Sequence, residues 1–323
     1  MNSLLVIARR ELTDLKRTRF YLILLGFLAV VMILSVIVAS FDFRVKIGEY
    51  NLYLDTLRRS GSTETPSAPQ LFPLQLLRGS IEYLELIGAL FAIIIGYGTV
   101  AKEKQHGTLH LIFTRPVSRF AVAGGKLLAF AAAWAVVTFG VFVTMIVALV
   151  VIGNAHLQLI DLERLILTGI IAWLYLMLWS CIAMGLAALV RRASTGLIVA
   201  LVAWIIVVLI IPQIGDTMDP DNQVPGGLFK SLAVAKPDEK AVMANFAGFD
   251  DIRNGLEVSS ITKHFERPAF AFLGIKDQFN QQPIGDVWAS MLPYTITLTL
   301  AFLAASAFTG IATTKRALLR RET

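Results

Sequence analysis

Residues 20–40 read FYLILLGFLAVVMILSVIVAS, an apolar run without a single Asp, Glu, Lys or Arg. About 20 such residues in a helix are enough to cross the hydrocarbon core of a bilayer. Because lipid offers no partner for open backbone groups, a single segment of this kind crosses the membrane as a helix. The run therefore predicts an integral membrane protein.

Five further segments have the same length and apolar character: 81–101, 127–152, 165–190, 195–213 and 287–311. Charged side chains interrupt one of them, where Glu82 and Glu85 lie near its start. None shows the alternation of polar and apolar residues that is typical of a membrane barrel strand. The sequence predicts an all-α integral membrane protein with six transmembrane helices.

Composition supports this fold class and excludes others. Of 323 residues, 56% are hydrophobic and 16% are charged, and the mean hydropathy is +0.69. Soluble domains carry about 25% charged residues. These values exclude a disordered chain, a nucleic-acid-binding domain and an ordinary cytosolic enzyme. A single cysteine excludes an intrachain disulfide framework and a cysteine-rich metal site.

Lys and Arg predict the orientation in the membrane. They are densest in the segments that six spans place on one side, which are residues 1–19, 102–126, 191–194 and 312–323. The other side holds residues 41–80, 153–164 and 214–286 and is mildly acidic. We therefore expect a multi-pass protein of the cytoplasmic (inner) membrane with both termini in the cytoplasm. The basic face is expected to meet anionic lipid headgroups rather than nucleic acid.

Residues 1–19 predict an amphipathic helix at the membrane surface. Leu4, Ala8, Leu12 and Leu15 recur at helical spacing, and charged residues fill most of the remaining positions. Such a helix lies on the inner leaflet and continues into the first span. It anchors the topology, and a second, compatible role is contact with a cytoplasmic partner.

The segment 102–126, KEKQHGTLHLIFTRPVSRFAVAGGK, is longer than a minimal turn between two helices. A short amphipathic helix is predicted from Gly107 to Thr114, and Pro116 ends it. Its apolar side, which includes Leu109, must be covered by the membrane surface or by a soluble protein. The spacing of the residues leaves both alternatives open.

The run from Glu103 through Gly107-Thr108-Leu109 to the Arg-Pro-Val-Ser-Arg motif at 115–119, followed by Gly125-Lys126, resembles the signature of ABC-2 type transporter permeases. It is most similar to the branch of nitrous-oxide-reductase maturation and gliding-motility permeases. The six-span layout, the N-terminal helix and the long loop before the last span extend the resemblance over the whole chain.

The resemblance implies that residues 102–126 contain a coupling helix that docks on a separate ABC ATPase subunit. It also implies that two permease chains pair, either as a homodimer or as a pair with a similar chain. The docking residues that it implies are Glu103, His106, Gly107, Thr108, Leu109, Arg115 and Pro116. The chain has no phosphate-binding loop of its own, so we expect no cofactor here, with ATP and Mg²⁺ bound by the partner.

We therefore expect a non-enzymatic permease subunit that couples ATP hydrolysis to export. The alternative is a transmission subunit that drives an extracytoplasmic partner without moving a solute. A secondary transporter or channel is less consistent with the scarcity of charge in the spans. A membrane enzyme lacks a catalytic constellation. The sequence leaves the substrate open.

Glu82 and Glu85 are the candidate residues for an outer gate or substrate pathway, because charge within a span is often functional. The competing interpretation is that both are solvated near the membrane surface. His106 and His110 are four residues apart, which is a metal-ligand spacing, but no further ligand lies nearby, and no metal site is expected.

The segment 214–286 is too long for a bare loop and predicts an extracytoplasmic loop or cap. A helix is predicted from Pro237 to a stop at Gly248. His264 is expected at the surface, and the headgroup layer is predicted for four aromatic residues, Phe265, Phe270, Phe272 and Phe279. The segment is either a packed cap or a lid for an extracytoplasmic partner. The last span and a basic tail follow at 287–323.

Small residues at four-residue spacing mark one face of the second span. They are Gly88, Ala92 and Gly96, and they predict a close helix contact, within one chain or across a dimer. Cys181 lies in the middle of a span and is expected to be a small packing residue.

Overall fold

The computed structural model describes residues 3–17, 19–60, 72–105, 121–219, 228–232, 238–280 and 282–314. Within these residues the regular structure is entirely helical. Six helices are long and apolar enough to cross a membrane. The predicted all-α membrane architecture with six spans is confirmed.

Nine helices organise the described part of the chain. They are α1 (Ser3–Arg17), α2 (Phe20–Arg59), α3 (Pro73–Gln105), α4 (Ala121–Val151), α5 (Leu159–Leu189), α6 (Ala193–Thr217), α7 (Ala247–Ser259), α8 (Lys263–Phe272) and α9 (Ile284–Ala312). The six candidate spans are α2 to α6 and α9. Short helical turns lie at Leu228–Ser231, Glu239–Met243, Ala244–Phe246 and Asp277–Asn280.

Two of the spans change helix type along their length. In α3, a 3₁₀ turn at Pro73–Leu77 precedes the α-helix, and a π-helical segment occupies Leu84–Gly88. In α6, a second π-helical segment occupies Ile205–Ile210. The end of the bundle where α3 stops and α4 starts is called the basic side below, and the opposite end is called the acidic side.

Helix α5 is the centre of the bundle, because it packs against α3, α4, α6, α8 and α9. The Ser180 hydroxyl joins three of these helices: it accepts a hydrogen bond from Trp134 Nε1 (2.8 Å) and donates to the Ala92 carbonyl (3.1 Å). Thr309 of α9 donates to the Cys181 carbonyl at 2.6 Å. Cys181 is fully buried in the same layer, as its mid-span position predicts.

The stripe of small residues on α3 makes its contact within one chain. A Cβ atom on Gly96 would lie 2.3 Å from the Ser180 carbonyl oxygen of α5. A Cβ atom on Gly88 would lie 3.0 Å from a Leu176 methyl of the same helix. Absence of a side chain at these positions therefore lets α3 approach the backbone of α5.

Helix α2 extends well past its predicted apolar span. It continues without a break from Phe20 to Arg59, so residues 41–59, which the sequence places outside the spans, are helical. These residues contain no proline, and pairs such as Lys46–Asp42 (2.7 Å, one turn apart) support a solvated helix. The extension is about 28 Å long at 1.5 Å per residue.

Helices α7 and α8 form a hairpin whose turn lies among the spans; residues 247–272 are called the re-entrant hairpin. Ser260 in the turn donates to the Val207 carbonyl of α6 at 2.6 Å, and the His264 ring lies 5.5 Å from that of Tyr294 in α9. Val207 and Tyr294 are each ten residues from the acidic-side ends of α6 and α9. The turn is therefore about 15 Å below those ends at 1.5 Å per residue.

Several local expectations for segment 214–286 are wrong. Gly248 does not end a helix but lies in the first turn of α7. His264 is buried rather than at the surface, and the four aromatic residues predicted for the headgroup layer are in the protein core. The reason is that α8 turns its apolar side towards α5 and α9, where protein rather than lipid covers the rings.

Polar side chains fasten this cap to the spans. Arg164, near the start of α5, donates to the carbonyls of Phe272 (3.2 Å) and Gln282 (2.8 Å). Gln75, near the start of α3, donates to the Gly274 carbonyl at 3.1 Å. The cap interpretation of this segment therefore fits the packing.

The contact between α3 and α5 predicts a sharp difference between two glycines of one helix. Gly96→Ala should lower stability by about 1–3 kcal/mol, because the new methyl group overlaps the Ser180 carbonyl. Gly98→Ala is the control, since a Cβ atom there meets nothing within 4 Å. Thermal unfolding in detergent measures both variants, and equal midpoints would contradict the close approach.

Candidate functional site

Lys126, near the start of α4, joins three helices on the basic side. Its Nζ donates to Glu11 Oε1 of α1 at 2.7 Å, to Glu103 Oε1 of α3 at 2.9 Å and to the Thr99 carbonyl at 3.3 Å. Lys126 is 1% exposed, and both glutamates are buried. Glu11, Glu103 and Lys126 are called the basic-side cluster below.

Two glycines before Lys126 allow α1 to come close. A Cβ atom on Gly125 would lie 2.7 Å from Ile7 Cβ, and one on Gly124 would lie 3.0 Å from a Leu4 methyl. Helix α1 consequently lies against the first turn of α4. The side of α1 that carries Glu11 is covered by protein and not by lipid alone, whereas Leu5 remains 58% exposed.

The last turn of α3 is held by α5 as well. Lys104 Nζ donates to the carbonyls of Ala187 (2.9 Å) and Ala188 (3.2 Å), at the end of α5. A cation at the C-terminus of a helix satisfies its open carbonyls and interacts favourably with the helix dipole. Both chain ends that flank residues 106–120 are thus fixed, one through Glu103 and Lys104 and the other through Lys126.

Of the predicted docking residues, Glu103 is placed in the basic-side cluster. The other six lie outside the described residues: His106, Gly107, Thr108, Leu109, Arg115 and Pro116. Their role in docking stays a prediction.

The structure separates the two glutamates predicted near the acidic side. Glu82 Oε1 accepts a hydrogen bond from Arg78 Nε at 2.9 Å, and its side chain is 47% exposed. Glu85 lies in the π-helical segment of α3 and is 6% exposed. Its main-chain carbonyl accepts a hydrogen bond from the Tyr175 hydroxyl of α5 at 3.2 Å. Only Glu85 is therefore a buried residue of the bundle.

A family model described as "ABC-2 family transporter protein" matches residues 5–314. The chain belongs to the ABC-2 transporter family. No curated protein matches the sequence significantly. The match reaches from α1 to the end of α9, so both the basic-side cluster and the re-entrant hairpin lie within it.

Membership makes this chain a membrane permease of an ABC transporter. ABC-2 permeases are generally non-catalytic membrane subunits, and the family implies an ABC ATPase as partner. Six apolar helices agree with a multi-pass protein. The narrower branch suggested by the loop motif stays a prediction.

Sequence reasoning missed Glu11 as a functional candidate. The available signal is its position between Ala8 and Leu15 on the apolar face of α1, where an acid needs a partner. No comparable signal in the sequence marks Arg267 of α8, because its partners Glu257 and Tyr294 lie in other helices. The pattern of apolar and polar residues indicates that α8 is amphipathic, but it does not indicate which part of the protein its apolar side contacts.

A charged network holds the re-entrant hairpin of this ABC-2 permease. Arg267 donates to Glu257 Oε2 (2.9 Å) and to the Tyr294 hydroxyl (2.7 Å), while Arg253 contacts Glu257 at 3.1 Å and Asp219 at 2.8 Å. Burial opposes ionisation of Glu257. The hydrogen bond from Arg267 and the nearby basic charges outweigh it and hold the pKa of Glu257 below its ordinary value of 4.5.

Lys126→Met should destabilise the permease by about 3–5 kcal/mol, because it leaves two buried carboxylates without their cation. Adding Glu11→Gln and Glu103→Gln should recover part of the loss. Arg10→Ala is the control, since its pair with Asp14 is exposed and long at 3.9 Å. Thermal unfolding measures all three, and an unchanged midpoint for Lys126→Met would refute the buried cluster.

The lowered pKa of Glu257 predicts acid sensitivity. The contribution of Glu257 to the free energy of unfolding is complete above pH 4.5. It is lost as the pH falls through the lower folded-state pKa, because protonation removes the anion that binds Arg267. Glu257→Gln should lower stability at pH 7 by about 1.5–3 kcal/mol and flatten its acid dependence. Asp251→Asn, an exposed residue of α7, should keep the wild-type dependence in the same unfolding series.

Proposed function

We propose that this ABC-2 permease couples ATP hydrolysis by a separate ATPase subunit to export across the cytoplasmic membrane, with residues 102–126 as the docking segment. Both termini and the basic side face the cytoplasm. ATP and Mg²⁺ bind to the ATPase, and two permease copies pair, each resting on one ATPase subunit.

The basic-side cluster carries this proposal. A docking segment can move the spans only if its two ends are tied to them, and Glu103 and Lys126 form a buried ion pair across that segment at 2.9 Å. Glu11 adds α1 to the same point at 2.7 Å. Movement of residues 106–120 by an ATPase therefore acts on α1, α3 and α4 together.

The movement passes from there into the centre of the bundle. Lys104 ties α3 to the end of α5, and the glycine contacts keep the two helices together along their length. Helix α5 packs on α8 and α9, so a shift at the basic side reaches the re-entrant hairpin on the acidic side. A substrate path that opens beside the re-entrant hairpin, near Glu85, is consistent with export.

The helical extension of α2 favours the alternative function. Residues 41–59 form a solvated helix with exposed apolar side chains, among them Phe41 (61%) and Leu52 (70%). Such a helix suits contact with an extracytoplasmic protein that the permease would drive without moving a solute.

The test is purification of the tagged full chain from its native membranes in mild detergent, followed by mass spectrometry. Wild type should bring an ATPase subunit in stoichiometric amount. Gly107→Pro and Leu109→Asp should lose it, because the first breaks the docking helix and the second charges its apolar side. Membrane insertion should stay normal.

Leu52→Asp is the matched control, because it makes the same chemical change on the opposite side of the membrane. It should retain the ATPase, and loss of an extracytoplasmic protein with this variant would favour the alternative function. Full retention of the ATPase by Leu109→Asp would refute the docking assignment. A chain that purifies alone in several detergents would favour an autonomous transporter.

A further inference from the structure

Two π-helical segments in different spans face the same feature, the re-entrant hairpin. Ser260 of the hairpin turn donates to the Val207 carbonyl within the segment of α6. Tyr175 donates to the Glu85 carbonyl within the segment of α3, and its ring stacks on Phe265 of α8 at 4.6 Å. π-Helical segments are rare in proteins, and those that occur often lie at functional sites.

Glu85 differs from every other buried charge in the described part of the chain. Seven charged residues there are buried: Glu11, Glu85, Glu103, Lys126, Arg164, Glu257 and Lys263. Six of them make ion pairs or hydrogen bonds through their charged groups. The Glu85 carboxyl group makes neither with any residue that the structure describes.

The charged groups around Glu85 are mostly acidic. Glu266 and Lys263 face it from α8, Glu82 from α3 and Asp216 from α6, while the Tyr175 hydroxyl lies on α5. Lys263 Nζ is already bound to Glu266 at 2.6 Å. Burial without a hydrogen-bond partner and a majority of like charges both disfavour a carboxylate relative to the neutral acid.

The surroundings also restrict what can bind there. Tyr175, Phe265 and Thr262 have essentially no exposed surface on the elements around Glu85. These three packed side chains restrict the space for a solvated metal ion or an organic cation. A proton needs only an oxygen atom.

We propose that Glu85 is a proton-binding site, which holds its proton while the re-entrant hairpin is packed between the spans and releases it when the hairpin withdraws. On withdrawal the O–H bond breaks, the proton passes to water on the acidic side, and the carboxylate that remains is hydrated. High pH therefore favours withdrawal, and low pH favours packing.

This inference rests on the proposed function only for the source of movement, which is the ATPase. The proton site itself belongs to the permease. It is tested on the purified full chain without an ATPase, so its failure is distinct from failure of the co-purification experiment.

The first measurement is thermal unfolding in detergent between pH 5 and pH 9, for wild type, Glu85→Gln and Glu82→Gln. A folded state that holds one more proton than the unfolded state loses stability as the pH rises, up to tenfold in the unfolding constant per pH unit. Glu85→Gln should remove this slope, because its amide stays neutral. Glu82→Gln should keep the slope with pH, because Glu82 lies one turn away in α3 and its side chain is exposed.

Parallel pH profiles for wild type and Glu85→Gln would overturn the proposal. If Glu85→Gln does not fold, Glu85→Leu replaces it, since an apolar side chain suits the same packed surroundings. The infrared band of a protonated carboxylic acid in wild type at pH 7, absent from the variant, is the second readout.

The link to the hairpin needs its own measurement. In a Cys181→Ala background in lipid vesicles, Thr262→Cys reports on the hairpin turn and Leu52→Cys on an exposed reference site. The ratio of their maleimide labelling rates corrects for thiol ionisation. The labelling rate of Thr262→Cys divided by that of Leu52→Cys should rise at least tenfold from pH 6 to pH 9 with Glu85 present. It should stay constant with Glu85→Gln. A constant ratio in both would overturn the coupling of the proton to hairpin withdrawal.

Discussion

Inside a bilayer no water is available to satisfy a polar group, and the arrangement of this permease follows from that constraint. Lys126 brings α1, α3 and α4 together because two carboxylates need one ammonium. Arg164 holds the acidic-side cap because its guanidinium needs carbonyl oxygens. Ser180 joins three spans through one hydroxyl. Among the buried charged side chains that the structure describes, Glu85 is the one without such a partner.

The two ends of the molecule are connected through the same pair of helices. Helices α3 and α5 contact each other at backbone distance at Gly96, and Lys104 fixes their basic-side ends. Near the acidic side, Tyr175 of α5 holds the π-helical segment of α3 and stacks on α8. The chain ends that flank residues 106–120 and the re-entrant hairpin are therefore attached to the same pair of helices rather than to separate parts of the bundle.

Much of this organisation is predictable from the sequence. Apolar runs of about 20 residues predict the spans, and the motif from Glu103 to Lys126 predicts the family. The small residues of α3 predict a close contact, although not whether the partner is within the chain. These predictions succeed because they depend on local composition and on the lipid around the chain.

Other features depend on contacts between segments that are far apart in sequence. The amphipathic pattern of α8 shows which of its faces is apolar but not whether lipid or protein covers it, so the headgroup assignment of Phe265 and Phe272 is wrong. The partner of Glu11 is 115 residues away. The extension of α2 was missed because the apolar run ends at Ser40, whereas charge pairs one turn apart continue it as a solvated helix.

That unbroken helix has a mechanical consequence. A single helix from Phe20 to Arg59 can act as a lever, with its fulcrum among the spans and residues 41–59 as its arm. With an arm of about 28 Å, a tilt of about 10° within the membrane displaces the tip by about 5 Å. Small rearrangements among the spans are thereby amplified into a movement that a protein outside the membrane could sense.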